Sequence, residues 1–93
     1  TVPTQTLTMM NSKFLNDSAE VLALRVQEEQ PNDTPAQVRR ALELATSRPA
    51  TKEDIADGLK LIQHFTKTGI NKPQALQRFC LLVLNLNEFV YVD

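Results

Sequence analysis

Residues 79–86 read FCLLVLNL, and this stretch decides the fold. It is apolar almost all round a helix, so a helix that contains it is expected to be the central, most buried element. That helix begins near residues 71–73, and its inward face carries Leu76, Phe79, Cys80 and Val83. Nowhere in the chain do β-branched residues alternate with polar ones for long, so the pattern predicts helices rather than strands.

A second amphipathic segment runs from Ser12, the predicted N-cap, to Glu29, and Pro31 ends it. Its apolar residues recur at steps of four, three and four and place one stripe on the core: Leu15, Ala19, Leu22 and Val26. Phe14, Val21 and Leu24 widen this apolar surface, so we expect the helix to contact more than one neighbour.

A third helix is predicted to start at Thr34, whose hydroxyl is expected to be the N-terminal cap. Pro35 follows at a position where no backbone N–H is needed, and Gln37 is expected to complete a capping box. Arg48-Pro49 closes it. Its expected buried stripe is Val38, Ala41, Leu42 and Ala45.

Thr51 is predicted to cap a fourth helix, and Gly69 to end it. The expected inward stripe is Ile55, Leu59, Ile62 and either Phe65 or Thr66. Gly58 lies beside this stripe, where a glycine costs a helix about 1 kcal/mol relative to alanine. We therefore expect another helix to cross closely at Gly58.

The predicted fold is all-α, a compact bundle of about four antiparallel helices plus a short N-terminal helical segment at Pro3–Met10. Short connections near residues 30–33, 48–50 and 68–71 favour antiparallel neighbours. Residues 1–93 form a single domain, expected to be monomeric. The chain opens at Thr1 without a methionine and ends directly after an apolar stretch, which we interpret as a domain cut from a longer chain.

Composition excludes several classes of function. Ten Lys and Arg against eleven Asp and Glu give a net charge of −1, so no general attraction to nucleic acid is expected. The longest apolar run, Phe79–Leu84, is six residues, far short of the ~20 that span a bilayer, so no membrane insertion is expected.

The sequence predicts no catalytic residue, cofactor or metal. One histidine and one cysteine are too few ligands for a metal cluster or a covalently attached haem. Cys80 is interpreted as a small buried hydrophobe and His64 as a structural or surface residue, while a Cys80–His64 nucleophile pair lacks a third residue to orient the imidazole. Asn85 and Asn87 interrupt the apolar helix end and are interpreted as amides that cap helix ends or fasten the N-terminal segment.

Three stretches resemble the planctomycete-specific domain 1 family in the order expected: TVPTQTLTMMNS at 1–12, LATSRPATKE at 44–53 and LNLNEFVYVD at 84–93. The family versions read T-V-P-T-Q-A-L-T-L-L-N, L-A-L-G-R-x-P-T-x-E-E and L-N-S-N-E-F-L-Y-V-D. Ser47 stands where the family often has glycine, which weakens the expected turn before Arg48. Leu86 replaces a common serine.

The resemblance implies the C-terminal part of a large exported bacterial protein, in the periplasm or cell envelope. Such proteins carry a partner domain of unknown function and, in some cases, a cytochrome c-like domain. A role in polysaccharide breakdown has been suggested from these contexts. No catalytic group is established for the family, so the resemblance transfers no active-site residue.

Two functions remain open. The first is a non-catalytic module that packs against upstream domains of its parent chain, with Phe89, Val90 and Tyr91 as the docking surface. The alternative is part of an enzyme or redox site whose other residues lie upstream. A concave polar cluster would favour this second function, formed by Gln5, Arg48, Asn85, Asn87 and Glu88.

Overall fold

The computed structural model describes the backbone of residues 13–92 and the side chains of residues 13–85. This part forms four helices without a strand: α1 (Lys13–Glu29), α2 (Thr34–Thr46), α3 (Lys52–Lys67) and α4 (Lys72–Val92). The all-helical prediction is confirmed. The predicted N-terminal helix at Pro3–Met10 and the predicted cap Ser12 lie outside the described residues.

Helix α4 is the centre of the bundle, because it packs against each of the other three helices. Its most extensive interface is with α1, whereas α1 and α3 do not pack on each other in the part described. Gln27 and Pro31, at the end of α1, line the same concavity as Lys72 and Pro73, at the start of α4. The two helices therefore run antiparallel.

The core is one cluster to which every helix contributes. Its fully or nearly fully buried members are Ala19, Ala23, Val26, Val38, Ala41, Ile62, Ala75, Leu76, Phe79, Cys80 and Val83. The four residues predicted for the inward face of α4 are all among them. Because α4 supplies the largest of these side chains, Phe79, the predicted central position of this helix is confirmed.

Helices α2, α3 and α4 approach closely at Gly58, as predicted. A methyl group added to its Cα would lie 2.7 Å from the Val38 Cγ1 atom and 3.0 Å from the Phe79 Cε1 atom. Carbon atoms pack at about 3.5–4.0 Å, so no side chain fits between the three helices at this point. Glycine's poor helix propensity is offset by the close packing that it permits.

Helix α3 has the ends that its sequence predicts. The Thr51 hydroxyl accepts a hydrogen bond from the Asp54 N–H, and the Asp54 carboxylate accepts one from the Thr51 N–H, which forms a capping box. At the other end Gly69 adopts φ +100°, and the Gly69 and Ile70 N–H groups donate to the Thr66 and Phe65 carbonyls. This is a Schellman ending, which glycine adopts without strain.

The predicted start of α2 is wrong by one residue. Asp33 is the N-cap, and its carboxylate accepts from the Ala36 N–H at 3.2 Å. Thr34 is the first helical residue instead. Gln37 does not reach back to close a capping box; its Nε2 donates to the Gln30 carbonyl at 2.8 Å and its side chain is buried.

Helix α2 ends at Ser47, which adopts the left-handed conformation with φ 59°. The Ser47 N–H donates to the Glu43 carbonyl, so the turn before Arg48 is complete without glycine. A non-glycine residue in this conformation costs roughly 1–2 kcal/mol. The turn is therefore present with serine, and its weakening relative to glycine stays a prediction.

Substituting Gly58 with alanine is expected to destabilise the protein by up to about 2 kcal/mol, because overpacking of a core typically costs about 1–3 kcal/mol and the gain in helix propensity offsets only about 1 kcal/mol of this. Denaturant unfolding measures the change. Asp57→Ala, at the exposed neighbouring position, is the control and should not destabilise the fold.

A double-mutant cycle locates the clash. In a Val38→Ala background, where the nearest atom is gone, Gly58→Ala should cost at least about 1 kcal/mol less than in the wild type. An equal cost in both backgrounds, or a stabilised Gly58→Ala protein, would contradict the close approach.

Candidate functional site

The outer face of α1 carries three of the four large apolar side chains that are exposed among the described residues. The outer face of α1 is defined here by Phe14, Val21 and Leu24, whose side chains are 72%, 66% and 54% exposed. The sequence predicts that these three residues widen the apolar surface of α1 so that the helix contacts more than one neighbouring helix. Helix α1 does meet two helices, α2 and α4, but through its other side, where Leu15, Ala19, Ala23 and Val26 are buried.

A groove lies along the outer face of α1. It encloses about 420 Å³ and is lined by Phe14, Asp17, Ser18, Val21, Leu22, Arg25 and Leu44. Leu44 is the single contribution of α2. With 13 residues against the 17 of α1, α2 is shorter by about 6 Å at about 1.5 Å per residue. The rest of the lining, within the described part of the chain, comes from α1.

Ion pairs lie at both ends of this groove. Lys13 pairs with Asp17 at 3.2 Å, and Arg25 pairs with Glu29 at 2.9 Å. The Glu29 carboxylate also accepts from the Arg40 guanidinium at 2.8 Å, which ties the end of α1 to α2. These two hydrogen bonds lower the pKa of the Glu29 carboxyl, and the bond from Arg25 has a larger effect than the bond from Arg40. Charged side chains therefore flank the apolar groove.

The predicted polar cluster lies only partly within the described side chains. Arg48 is exposed in the connection between α2 and α3, and Asn85 is buried on α4. Gln5, Asn87 and Glu88 lie outside the described side chains. The convergence of the five residues therefore stays a prediction.

Asn85 is buried, with 8% of its surface exposed, and its Oδ1 atom has no hydrogen-bond partner among the described residues. A buried carbonyl without a donor costs about 1–3 kcal/mol. Such a group is an available acceptor. The interpretation that the amide fastens the N-terminal segment involves residues 1–12, which lie outside the described range.

The predicted docking surface at Phe89, Val90 and Tyr91 belongs to the helical backbone of α4. The side chains of these three residues lie outside those described, so the docking surface stays a prediction.

Cys80 and His64 occupy different environments. Cys80 is completely buried, and burial raises the pKa of its thiol to about 12. His64 is exposed on α3, with its ring edge against Phe65. A thiol that stays protonated and out of solvent is a poor nucleophile, so this environment agrees with the interpretation of Cys80 as a core residue.

The described residues hold no group of three or more His, Cys, Asp or Glu side chains that could bind a metal ion. Within the same range, none of the helices combines the length and the apolar character needed to cross a membrane.

Residues 1–62 match the model of the PSD1 family, described as a protein of unknown function (DUF1553). The chain belongs to the PSD1 family. The matched range continues through α1 and α2 into α3, so it includes the groove together with Gly58 and Val38, whereas Phe79 lies outside it. The planctomycete-specific family resemblance seen in the sequence is confirmed. No curated protein and no solved structure matched the chain. PSD1 membership assigns no ligand and no catalytic residue.

Thiol labelling of the native PSD1 chain is expected to be at least about a hundredfold slower than labelling in denaturant, because the thiolate of Cys80 is both scarce and shielded. A chromogenic disulfide reagent at pH 8, with and without guanidinium, measures the ratio. Native labelling as fast as denatured labelling would show an accessible thiol and restore the Cys80–His64 pair as a candidate nucleophile.

Proposed function

We propose that this chain is a non-catalytic helical packing module whose α1 outer face binds upstream domains of its parent protein. The exposure of Phe14, Val21 and Leu24 is the observation that supports this function. An apolar patch bordered by charged groups is typical of a protein–protein contact. Full burial of one large apolar side chain stabilises a complex by about 1.5–3 kcal/mol before the costs of association.

The position of the groove favours an upstream occupant. Phe14 is the second residue of α1, the first described helix, so the groove extends to the end of the module at which the chain enters. Polypeptide upstream of α1 is tethered at this end. Tethering raises its effective concentration near the groove, commonly to the millimolar range of about 1 mM or more for a short flexible linker.

The module is proposed to be the C-terminal part of a large exported bacterial protein, located in the periplasm or cell envelope. The resemblance of its three sequence stretches supports this location. Phe89, Val90 and Tyr91 are proposed as a second contact with the same upstream domains, since large aromatic side chains are common anchors of interfaces.

A contribution to an enzyme or redox site completed upstream is the second candidate. Its support is the unpartnered Oδ1 atom of buried Asn85, which could accept a hydrogen bond from a group outside the described residues. We favour the packing module, because three large exposed side chains support it and a single amide supports the alternative.

Replacing both Phe14 and Val21 with alanine is expected to weaken binding to the separately produced upstream region by at least about 30-fold, which corresponds to about 2 kcal/mol, the usual threshold for an interface hot spot. Titration calorimetry measures the affinity. The melting temperature should stay nearly unchanged, because both side chains are exposed.

Leu61→Ala is the matched control, since Leu61 is an exposed apolar residue on α3 away from the groove. It should leave binding intact. Phe89→Ala combined with Tyr91→Ala tests the second contact in the same titration. Unchanged affinity of the Phe14 and Val21 double variant would show that the outer face of α1 does not bind the upstream region.

A further inference from the structure

A second concavity lies where the end of α1 meets the starts of α2 and α4. It encloses about 260 Å³ and is lined by Gln27, Pro31, Asn32, Thr34, Gln37, Lys72, Pro73 and Leu76. We refer to it as the α1–α4 pocket. This volume leaves room for several water molecules or for a ligand the size of one amino-acid residue.

Lys72 is the single charged residue in the lining of this pocket. Among the described residues its ammonium group has no ion-pair partner, and no carboxylate contributes to the lining. The lining therefore carries a single positive charge, while the nearby Asp33 carboxylate accepts from the Ala36 N–H at the start of α2. A small anion with oxygen acceptors, such as a carboxylate, complements the charge of Lys72.

Gln37 provides a fixed acceptor in the same lining. Its side chain is buried, with 7% exposed, and its Nε2 atom is held by the hydrogen bond to the Gln30 carbonyl. Its Oε1 atom accepts no hydrogen bond from the described residues. A ligand that also carries an N–H donor can pair with this oxygen, which would otherwise lose a partner on leaving water.

The remaining lining is apolar. Leu76 is buried with 3% exposed, and Pro31 and Pro73 lie beside it in the lining. The two exposed prolines offer an apolar side chain a surface to pack against, whereas Leu76 contributes little exposed surface. The pocket thus combines a cation, a fixed hydrogen-bond acceptor and an apolar surface, which fits a group that has a carboxylate, an adjacent N–H and an apolar side chain.

We propose that the α1–α4 pocket binds the α-carboxylate end of an apolar amino acid, either as the free amino acid or as the carboxyl terminus of a peptide. The carboxylate pairs with Lys72, the neighbouring N–H donates to Gln37 and the side chain packs on Pro31 and Pro73. The site is separate from the outer face of α1 and does not depend on the proposed packing function.

Titration of the ¹⁵N-labelled chain with N-acetyl-L-leucine, L-leucine and N-acetyl-L-leucinamide tests the proposal. Either carboxylate should shift the amide signals of Gln37 and of Lys72 to Leu76 saturably. The neutral N-acetyl-L-leucinamide should bind at least about tenfold more weakly than N-acetyl-L-leucine, because it lacks the negative charge that Lys72 recognises. Tighter binding of N-acetyl-leucine indicates a peptide terminus, and tighter binding of leucine indicates the free amino acid.

Lys72→Met should weaken carboxylate binding by at least about tenfold, whereas Lys60→Met on the exposed surface of α3 should leave it unchanged. Both lysines are exposed, so neither variant should alter the melting temperature. The proposal is overturned if neither carboxylate gives saturable shifts at the pocket, if leucinamide binds as tightly as the carboxylates, or if Lys72→Met binds as tightly as wild type.

Discussion

The close approach of three helices at Gly58 is the constraint on which the rest of the structure depends. Val38 of α2 and Phe79 of α4 lie where the side chain of any other residue would be, so α2, α3 and α4 meet with no space between them. Val38 is β-branched and fully buried, and it cannot easily turn aside. The positions of α2 and α3 relative to α4 follow from this contact. Helix α1 then packs against α2 and α4 on the opposite side of the bundle from α3.

This arrangement also determines which surfaces remain available for binding. Helix α1 has apolar residues on two sides, but α2 and α4 cover only the side that carries Leu15, Ala19, Ala23 and Val26. Among the described residues, the groove is lined by α1 and by Leu44 of α2. The α1–α4 pocket has a different origin. It lies at the end of the bundle where Gln37 is drawn inward by its bond to the Gln30 carbonyl.

Features determined by local sequence could be predicted. The inward face of α4, the N-cap at Thr51, the end of α3 at Gly69 and the close crossing at Gly58 are all present in the structure. Features that depend on tertiary contacts could be predicted less well from the sequence. Asp33 and Thr34 are both good cap residues, and local sequence does not decide between them. Helical periodicity shows that α1 has two apolar sides without showing which side finds a partner. The burial of Gln37 and the lone Lys72 charge in the pocket arise from segments distant in sequence.

The most direct test of the central contact is a ¹³C-edited NOESY spectrum of the native chain. The account predicts strong cross-peaks from the Gly58 Hα protons both to a γ-methyl group of Val38 and to the ring protons of Phe79, because all of these atoms surround one point. Ring current from Phe79 should also move the Gly58 Hα signals away from ordinary helical glycine values. Absence of both sets of cross-peaks in a well-dispersed spectrum would contradict the three-helix contact and the fold built on it.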